Sequence, residues 1–233
     1  MNRPGFPAKQ GLYDPRHEHD ACGIGFVVNI KGGRSHEIVR QGITVLEHLD
    51  HRGACGCEEN TGDGAGILMQ VPHEFLAKEC DGIGIGLPKA GDYGVGMIFL
   101  PPEWDQRHAC QTVFENIAET EGLEVLGWRS VPTDNLHLGH TAKSVEPFVR
   151  QVFLKRSADL ADGDAFERKL YVVRQRVSHA IANSGAEGSE FFYIPSLSSR
   201  TIIYKGMLTP HQVSQFYPDL ADGALETALA LVH

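Results

Sequence analysis

The sequence predicts a mixed α+β fold with one substantial hydrophobic core. Short apolar runs of strand length recur along the chain, and segments with a helical apolar stripe lie between them. No glycine-rich nucleotide-binding fingerprint follows any predicted strand, which argues against a doubly wound parallel sheet. Strands in runs with helices between them favour stacked layers of sheet and helix. The 233 residues are enough for a single domain of this kind.

Composition and charge exclude several functional classes. A hydrophobic share of 42% with 22% charged residues is ordinary for a soluble globular protein. The formal net charge of -9 argues against a protein that binds nucleic acid or an anionic membrane. No apolar run reaches the roughly 18 residues of a membrane span, and residues 1–21 lack the apolar core of a secretory signal. The odd count of 5 cysteines favours reduced thiols in the cytoplasm.

The predicted elements follow from these runs and stripes. Residues 1–21 carry prolines and polar residues and form an extended leader without a core of its own. Strands are predicted over 22–30, 67–71, 93–100, 123–131, 145–154, 191–195, 201–204 and 225–233. Helices are predicted over 35–49, 73–80, 104–121 and 164–183, and a short helical piece begins at Thr209-Pro210.

Several of these elements carry more specific predictions. Ser35 is a suitable N-cap for the first helix. The strand over 22–30 is apolar enough to be buried, and those over 191–195 and 201–204 are close enough to pair with each other. The strand over 225–233 ends the chain, so we expect it to lack sheet neighbours. The clearest helical stripe consists of Phe166, Leu170, Val173 and Val177.

One stretch, residues 19–26 with the sequence HDACGIGF, places Cys22 directly before the first predicted strand. Ala21 precedes the thiol, and Gly23 and Gly25 allow other parts of the chain to approach closely. Cleavage before Cys22 would free an α-amino group with a pKa of roughly 7.7–8.0, which is a usable general base. One residue would then supply both nucleophile and base. The alternative is a buried structural cysteine, since free thiols are among the most buried groups.

Six blocks of sequence extend this observation along the chain. They are GLYDP at 11–15, EHDACGIGF at 18–26, HRG at 51–53, TGDGAG at 61–66, SSRTIIYKGML at 198–208 and FYPDL at 216–220. In order and spacing these blocks resemble the start of the large subunit of glutamate synthases. The resemblance implies a class II glutamine amidotransferase domain with the four-layer αββα fold of N-terminal-nucleophile hydrolases. It also implies a leader or propeptide over 1–21 and a domain over 22–233 that is incomplete at its C-terminus.

The resemblance also assigns the site residues. Cys22 is the catalytic nucleophile and Arg52 binds the substrate, since a guanidinium favours a nearby thiolate and binds carboxylate through two bonds. The alternative for this arginine is a surface residue that covers a helix end. Gly23, Gly53, Asp63 and Gly64 support the site, with Asp63 expected to orient the backbone of a tight turn through local hydrogen bonds.

A zinc site is a weaker possibility. His51, Cys55, Cys57 and Cys80 are potential ligands, but the C-x-C pair has no second pair at ligand spacing. We therefore predict no metal in this segment.

The resemblance further implies a reaction and its partners. Glutamine is hydrolysed to glutamate and ammonia, which the synthase region of the same large subunit transfers to 2-oxoglutarate in glutamate biosynthesis and ammonia assimilation. This oxidoreductase region carries FMN and an iron–sulfur cluster and takes electrons through a small subunit or from ferredoxin; this segment carries no cofactor. The family's substrate-anchoring and oxyanion residues follow position 233, so we expect the chain alone to be inactive. Alternatives are another class II amidotransferase, against which the leader argues, and a non-catalytic fragment.

Overall fold

The computed structural model describes residues 9–12, 14, 23–50, 58 and 60–233. The strands are β1 Gly25–Val28, β2 Ala65–Gln70, β3 Tyr93–Leu100, β4 Glu124–Ser130, β5 Phe148–Lys155, β6 Tyr193–Ser198, β7 Thr201–Gly206 and β8 Leu229–Val232. The α-helices are α1 His36–His48, α2 His73–Asp81, α3 Trp104–Thr120, α4 His140–Ser144, α5 Gly163–Ala182 and α6 Gln212–Phe216. A 3-10 helix, Pro218–Ala221, follows α6.

The first sheet has the strand order β1-β8-β2-β7, and all of its pairings are antiparallel. One row of the sheet runs from Gly25 through Val232 and Ile67 to Tyr204. Because β8 is antiparallel to both β1 and β2, those two strands run in the same direction. The chain therefore enters both of them at the same end of the sheet.

Helix α1 packs on the buried face of this sheet. Its apolar stripe, Val39, Ile43 and Leu46, is buried as the helical spacing predicts. A Cβ at Gly42 would lie 2.8 Å from the Ala230 Cβ, so glycine lets the helix approach the central strand closely. The N-cap residue Ser35 is extended and donates its backbone N–H to the Thr227 carbonyl over 3.0 Å. This bond fixes the start of α1 beside the entry to β8.

The second sheet has the order β4-β5-β3-β6, again fully antiparallel. Its outer face packs on α3 and α5 in a core of its own. The predicted stripe of α5, namely Phe166, Leu170, Val173 and Val177, is fully buried in that core. The inner face of the same sheet joins the first sheet, α1 and α2 in a second core. Two cores on opposite faces account for the full burial of β3 and β5 along most of their length.

A buried polar network joins the two sheets. Arg129 of β4 donates two hydrogen bonds to Asp219 over 2.7 and 2.8 Å and a third to Gln151 of β5 over 3.0 Å. The Tyr204 hydroxyl of β7 donates to Asp219 over 3.0 Å and accepts from Gln151 over 3.0 Å. Burial by itself lowers the pKa of the Arg129 guanidinium. The hydrogen bonds and negative charges of Asp219 and Glu79 outweigh burial, so the pKa is raised above its ordinary value. Every charge in the network therefore has a partner, which is the condition for burying it.

The predicted α+β fold with two mainly antiparallel sheets is confirmed. The bounds of β3 match the prediction, and those of α1, α2, α3 and α5 differ by two residues or fewer at either end. Helix α4 was not predicted; it ends at Ser144, and the strand expected from 145 begins only at Phe148. In the described residues no helix is long and apolar enough to cross a bilayer.

The predicted pairing of the two strands near 191–204 is wrong. β6 pairs with β3 in the second sheet, whereas β7 pairs with β2 in the first. The turn between them is held by Glu167 of α5, which accepts hydrogen bonds from the hydroxyls of Ser198 and Ser199 and from the Ser199 amide. These bonds turn the chain out of one sheet and into the other, where a hairpin would have kept it in one.

Two further predictions about the first sheet are wrong. β1 was expected to be buried, but Phe26 is 67% exposed, because β1 is an edge strand and only its other face meets α1. The last strand was expected to lack neighbours, but β8 lies between β1 and β2 and pairs with both. Ala230 and Val232 are fully buried there. The end of the chain is thus a central strand.

The network around Arg129 should control stability. Asp219→Asn removes the charge that compensates Arg129 but preserves side-chain size, so the guanidinium stays buried with Glu79, at 2.9 Å, as its remaining carboxylate. Because Glu79 still compensates in part, we expect a loss of about 3 kcal/mol, the lower end of the range for breaking a buried ion pair. Urea unfolding at neutral pH measures it. Glu124→Gln, which removes the exposed pair with Lys155, is the control and should cost less than about 1 kcal/mol. Equal losses in the two variants would contradict this account.

Candidate functional site

The topology of the first sheet brings two of the recognised blocks together. β1 and β2 begin at the same end of the sheet, since β8 runs antiparallel between them. Cys22 lies three residues before Gly25, where β1 begins, and the loop 61–64 leads directly into β2. Met207 and Leu208, which follow β7, leave the sheet at this same end because β7 is antiparallel to β2.

The end of α1 lies over the same place. A Cβ at Gly25 would be 2.4 Å from Val45 Cγ1 and 3.7 Å from Leu49 Cδ1. The last turn of the helix therefore packs on the first residue of β1, and only glycine permits that approach. Residues 51–53 follow this turn in the chain. The third block, 51–53, thus follows a helix end that packs on β1.

A cavity of about 590 Å³ opens at this end of the sheet, on the face opposite α1. Its floor is formed by side chains of the exposed face, including Leu68, Ile203 and Leu231. Asp63, Lys205 and His233 supply its ionisable groups. The Lys205 ammonium lies 4.6 Å from the centre of the Tyr193 ring, which closes the cavity from the second sheet. Mostly apolar walls with a few charged groups are typical of a site for a small polar ligand.

The loop that enters β2 is built from close backbone approaches. A Cβ at Gly62 would lie 2.2 Å from the Leu208 carbonyl oxygen, and a Cβ at Gly66 would lie 2.8 Å from the Tyr204 carbonyl oxygen. Gly64 has a φ of +136°, which residues with side chains rarely adopt. The block 61–66 therefore packs tightly against β7 and the residues after it. It leads into β2, as the sequence predicts.

Hydrogen bonds tie this loop to its surroundings. Gln212 of α6 is buried and its side-chain amide donates to the carbonyls of Asn60 and His137 over 2.9 and 2.8 Å. The Gly139 amide donates to the Asn60 carbonyl over 2.9 Å. The Glu58 carboxylate accepts from Thr61 and Thr141. Sequence reasoning missed Glu58, Gly139 and Gln212, whose partners are distant in the chain.

The predicted site residues divide into two groups. Gly23 is half-buried just before β1, and Asp63 and Gly64 line the cavity. The Asp63 carboxylate makes no hydrogen bond to any described residue, so the predicted local bonds to backbone are not seen there. Cys22, Arg52 and Gly53 lie outside the described residues.

Two other thiols are inside the described part of the chain, and both are buried. Burial raises the pKa of Cys80 on α2 to about 11 and also raises that of Cys110 on α3. A thiol that is hard to ionise is a poor nucleophile and a poor metal ligand. Of the four potential zinc ligands, His51, Cys55 and Cys57 lie outside the described residues.

The comparison with known families decides what this site belongs to. The family model for class II glutamine amidotransferases matches residues 22–233. The chain belongs to the class II glutamine amidotransferases. The match begins at Cys22 and extends to the last residue, so it includes every strand and helix of both sheets.

Within this family, the chain is similar to several glutamate synthases. The chain is 49% identical over 227 residues to the glutamate synthase [NADPH] large chain of Bacillus subtilis and 44% identical over 232 residues to the glutamate synthase [NADH] of Schizosaccharomyces pombe. It is 38% identical over 222 residues to the chloroplastic ferredoxin-dependent glutamate synthase 2 of Arabidopsis thaliana. These alignments cover 95–97% of this amidotransferase chain but only 11–14% of the relatives.

The glycine packing of the site is testable by stability. Gly62→Ala would drive a methyl group into the backbone of Leu208, which cannot move away as a flexible side chain could. We expect a loss of about 1–3 kcal/mol in the free energy of unfolding, as for other overpacked positions. Gly223→Ala is the matched control, because nothing lies within 4 Å of its Cβ position, and it should change stability little. If Gly62→Ala is as stable as Gly223→Ala, the close approach is wrong.

Proposed function

We propose that this chain is the glutamine-hydrolysing part of a glutamate synthase large subunit, with Cys22 as its nucleophile. The observation that carries the proposal is the convergence at one end of the first sheet. The strand that follows Cys22 begins there, and the helix that precedes Arg52 ends against its first residue. The loop with Asp63 enters β2 at the same end and lines the cavity. The membership of the class II amidotransferases and the glutamate synthase relatives support this substrate and reaction.

Removal of residues 1–21 prepares the nucleophile. The new α-amino group of Cys22 has an ordinary pKa of roughly 7.7–8.0, so near neutral pH a usable fraction is unprotonated. It accepts the thiol proton as the thiolate attacks the side-chain amide carbon of glutamine. The same group returns the proton to the departing nitrogen, which leaves as ammonia. Water then hydrolyses the thioester and releases glutamate. The start of the family match at Cys22 supports the boundary between leader and domain.

Arg52 and the loop residues prepare the substrate. The Arg52 guanidinium, which follows α1 in the chain, lowers the cost of forming the thiolate and offers two donors to a carboxylate. Gly23 and Gly53 flank the two functional side chains in sequence, and Gly64 shapes the turn beside Asp63. Leu68 and Ile203 give the cavity an apolar floor.

The remaining chemistry lies outside this segment. In the described residues no three His, Cys, Asp or Glu side chains are grouped as metal ligands. The glycine loop 61–66 leads into a strand, not a helix, and so does not fit the phosphate of FMN. We assign FMN, the iron–sulfur cluster and the amination of 2-oxoglutarate to the synthase region of the subunit. We assign the electron donor to that region and its partners, and the whole assembly to the cytoplasm.

The decisive experiment uses the full-length protein encoded by the complete reading frame that contains this chain. Cys22→Ala should lower glutamine-dependent glutamate formation by about 10³-fold or more, because it removes the nucleophile. Ammonia-dependent glutamate formation should remain, because that reaction does not use the thiol. Cys110→Ser, which changes a buried thiol in the other core, is the control and should leave both activities close to wild type.

Two outcomes would contradict the assignment. Glutamine-dependent activity that survives Cys22→Ala would exclude Cys22 as the nucleophile. Loss of that activity in a Cys55 or Cys57 variant, with Cys22→Ala active, would move the function to another thiol.

A glutaminase assay on the 233-residue chain alone should show no turnover, since the chain covers 11–14% of its relatives; turnover would show that it is self-sufficient.

A further inference from the structure

We propose that Lys205 and Asp63 are specificity-determining residues that bind the two charged groups of the amino-acid substrate, its carboxylate at Lys205 and its ammonium at Asp63. The inference rests on the proposed function, because the amino acid is the glutamine of that reaction. Both residues belong to the described part of the chain, and both line the cavity at the start of β2. The sequence alone predicts only a backbone-orienting role for Asp63 and none for Lys205.

The Lys205 ammonium is a cation without a counter-ion among the described residues. Its Nζ lies 3.4 Å from the Tyr193 hydroxyl and 4.6 Å from the centre of that ring, and no described carboxylate forms an ion pair with it. An aromatic face attracts a cation but leaves its charge in place. The positive charge is therefore available to an anionic group that enters the cavity.

The backbone of Lys205 is fixed, so its side chain leaves β7 at a defined place in the cavity wall. Lys205 is paired with Gly66 across the ladder of β2 and β7, and its carbonyl accepts a hydrogen bond from the buried Tyr217 hydroxyl over 2.8 Å. A Cβ at Gly66 would lie 2.5 Å from the Lys205 Cβ. Glycine at position 66 thus leaves the space that the stem of the lysine occupies on this face of the sheet.

Asp63 supplies the opposite charge in the same cavity. It is exposed, and its carboxylate makes no hydrogen bond or ion pair with any described residue. A Cβ at the next residue, Gly64, would lie 3.6 Å from the Gly206 carbonyl oxygen, which places this loop beside the residue that follows Lys205. Two opposite charges that line one cavity without pairing with each other leave room for a ligand that carries both.

An α-amino acid is a ligand of this kind. At neutral pH it carries a carboxylate and an ammonium, and each forms strong hydrogen bonds with a group of opposite charge. The cavity of about 590 Å³ is within the range of roughly 300–1,000 Å³ for small-molecule sites, and Leu68 and Ile203 offer apolar contact to methylene groups. A carboxylate has about four acceptor sites and an ammonium has three donors. Lys205 and Asp63 therefore act alongside the substrate anchors that the family resemblance implies after position 233.

A purely structural role is the competing explanation. Lys205 would then only join β7 to Tyr193 of the second sheet, and Asp63 would only keep a turn soluble. That role predicts lower stability in the variants with no change in the preference among ligands. A substrate-binding role predicts that each variant loses its preference for one charged group of the ligand and keeps its preference for the other.

The experiment measures equilibrium binding to the full-length protein at neutral pH, in a Cys22→Ala background that leaves bound glutamine intact. The ligands are glutamine, 4-aminobutanamide, which lacks the carboxylate, and glutaramate, which lacks the ammonium. Lys205→Met should weaken the binding of glutamine and glutaramate by about tenfold or more and leave that of 4-aminobutanamide within about twofold. Asp63→Asn should weaken the binding of glutamine and 4-aminobutanamide by a similar factor and leave that of glutaramate unchanged.

Matched controls remove the same charges elsewhere. Lys155→Met on β5 removes an exposed lysine, and Asp105→Asn removes an exposed acid in the first turn of α3. Neither residue lines the cavity, so neither variant should change the affinity for any of the three ligands. If Lys205→Met fails to fold, Lys205→Gln replaces it, since it keeps a polar group beside Tyr193 and still removes the charge.

The outcomes separate the inference from the proposed function. Equal weakening of all three ligands in folded Lys205→Met or Asp63→Asn, or unchanged glutamine binding in both, would overturn the inference while the proposed function stands. Absence of glutamine binding with Lys205 and Asp63 intact would also overturn it. Failure of the proposed function itself would instead appear in Cys22→Ala as retained glutamine-dependent activity.

Discussion

The hydrogen-bonded ladder of β8 is the constraint on which the rest of the site depends. β8 pairs on one side with β1 and on the other with β2, and in the described residues it is the only strand that pairs with β1. Its insertion makes β1 and β2 parallel in direction and brings their starting ends together. Ala230 and Val232 are fully buried beneath α1, so the ladder is also part of the core. The ladder of β8, together with α1, thus fixes β1, which follows Cys22 in the chain, relative to β2, which follows the loop that carries Asp63.

Packing then determines how closely the converging segments meet. Gly25 receives the last turn of α1, and Gly62 receives the backbone after β7. At each position a methyl group would clash with atoms of the other segment. The buried network of Arg129 and Asp219 fixes β7 against the second sheet from the other side. The cavity thus lies between elements that are each held by contacts outside it, which is what a preorganised site requires.

Sequence reasoning could predict what depends on local pattern. The stripe from Phe166 to Val177 has the spacing of a helix that packs on a sheet, and it does so. The separation of β6 from β7 depends on Glu167, more than thirty residues away, and a short turn between apolar runs gives no sign of it. The position of β8 also depends on its pairing with β1, which lies at the other end of the sequence. A pattern of two-residue periodicity specifies a face but not a neighbour.

The same distinction holds for the site. Cys22, Arg52 and Asp63 stand in recognisable blocks, so the sequence alone could propose them. Glu58 and Gly139 could not be found in that way, because the Thr141 amide that donates to Glu58 lies 83 positions away in the chain. The sequence thus proposes reactive groups, whereas contacts between distant residues appear only in the folded chain.

Covalent labelling tests the central claim most directly. The full-length protein is treated with a glutamine-analogue electrophile, and the modified peptide is identified by mass spectrometry. The account predicts stoichiometric modification of Cys22, on a peptide that begins with Cys22, and protection by free glutamine. Modification of another cysteine, or of Cys22 in an active enzyme that still carries Ala21, would contradict it.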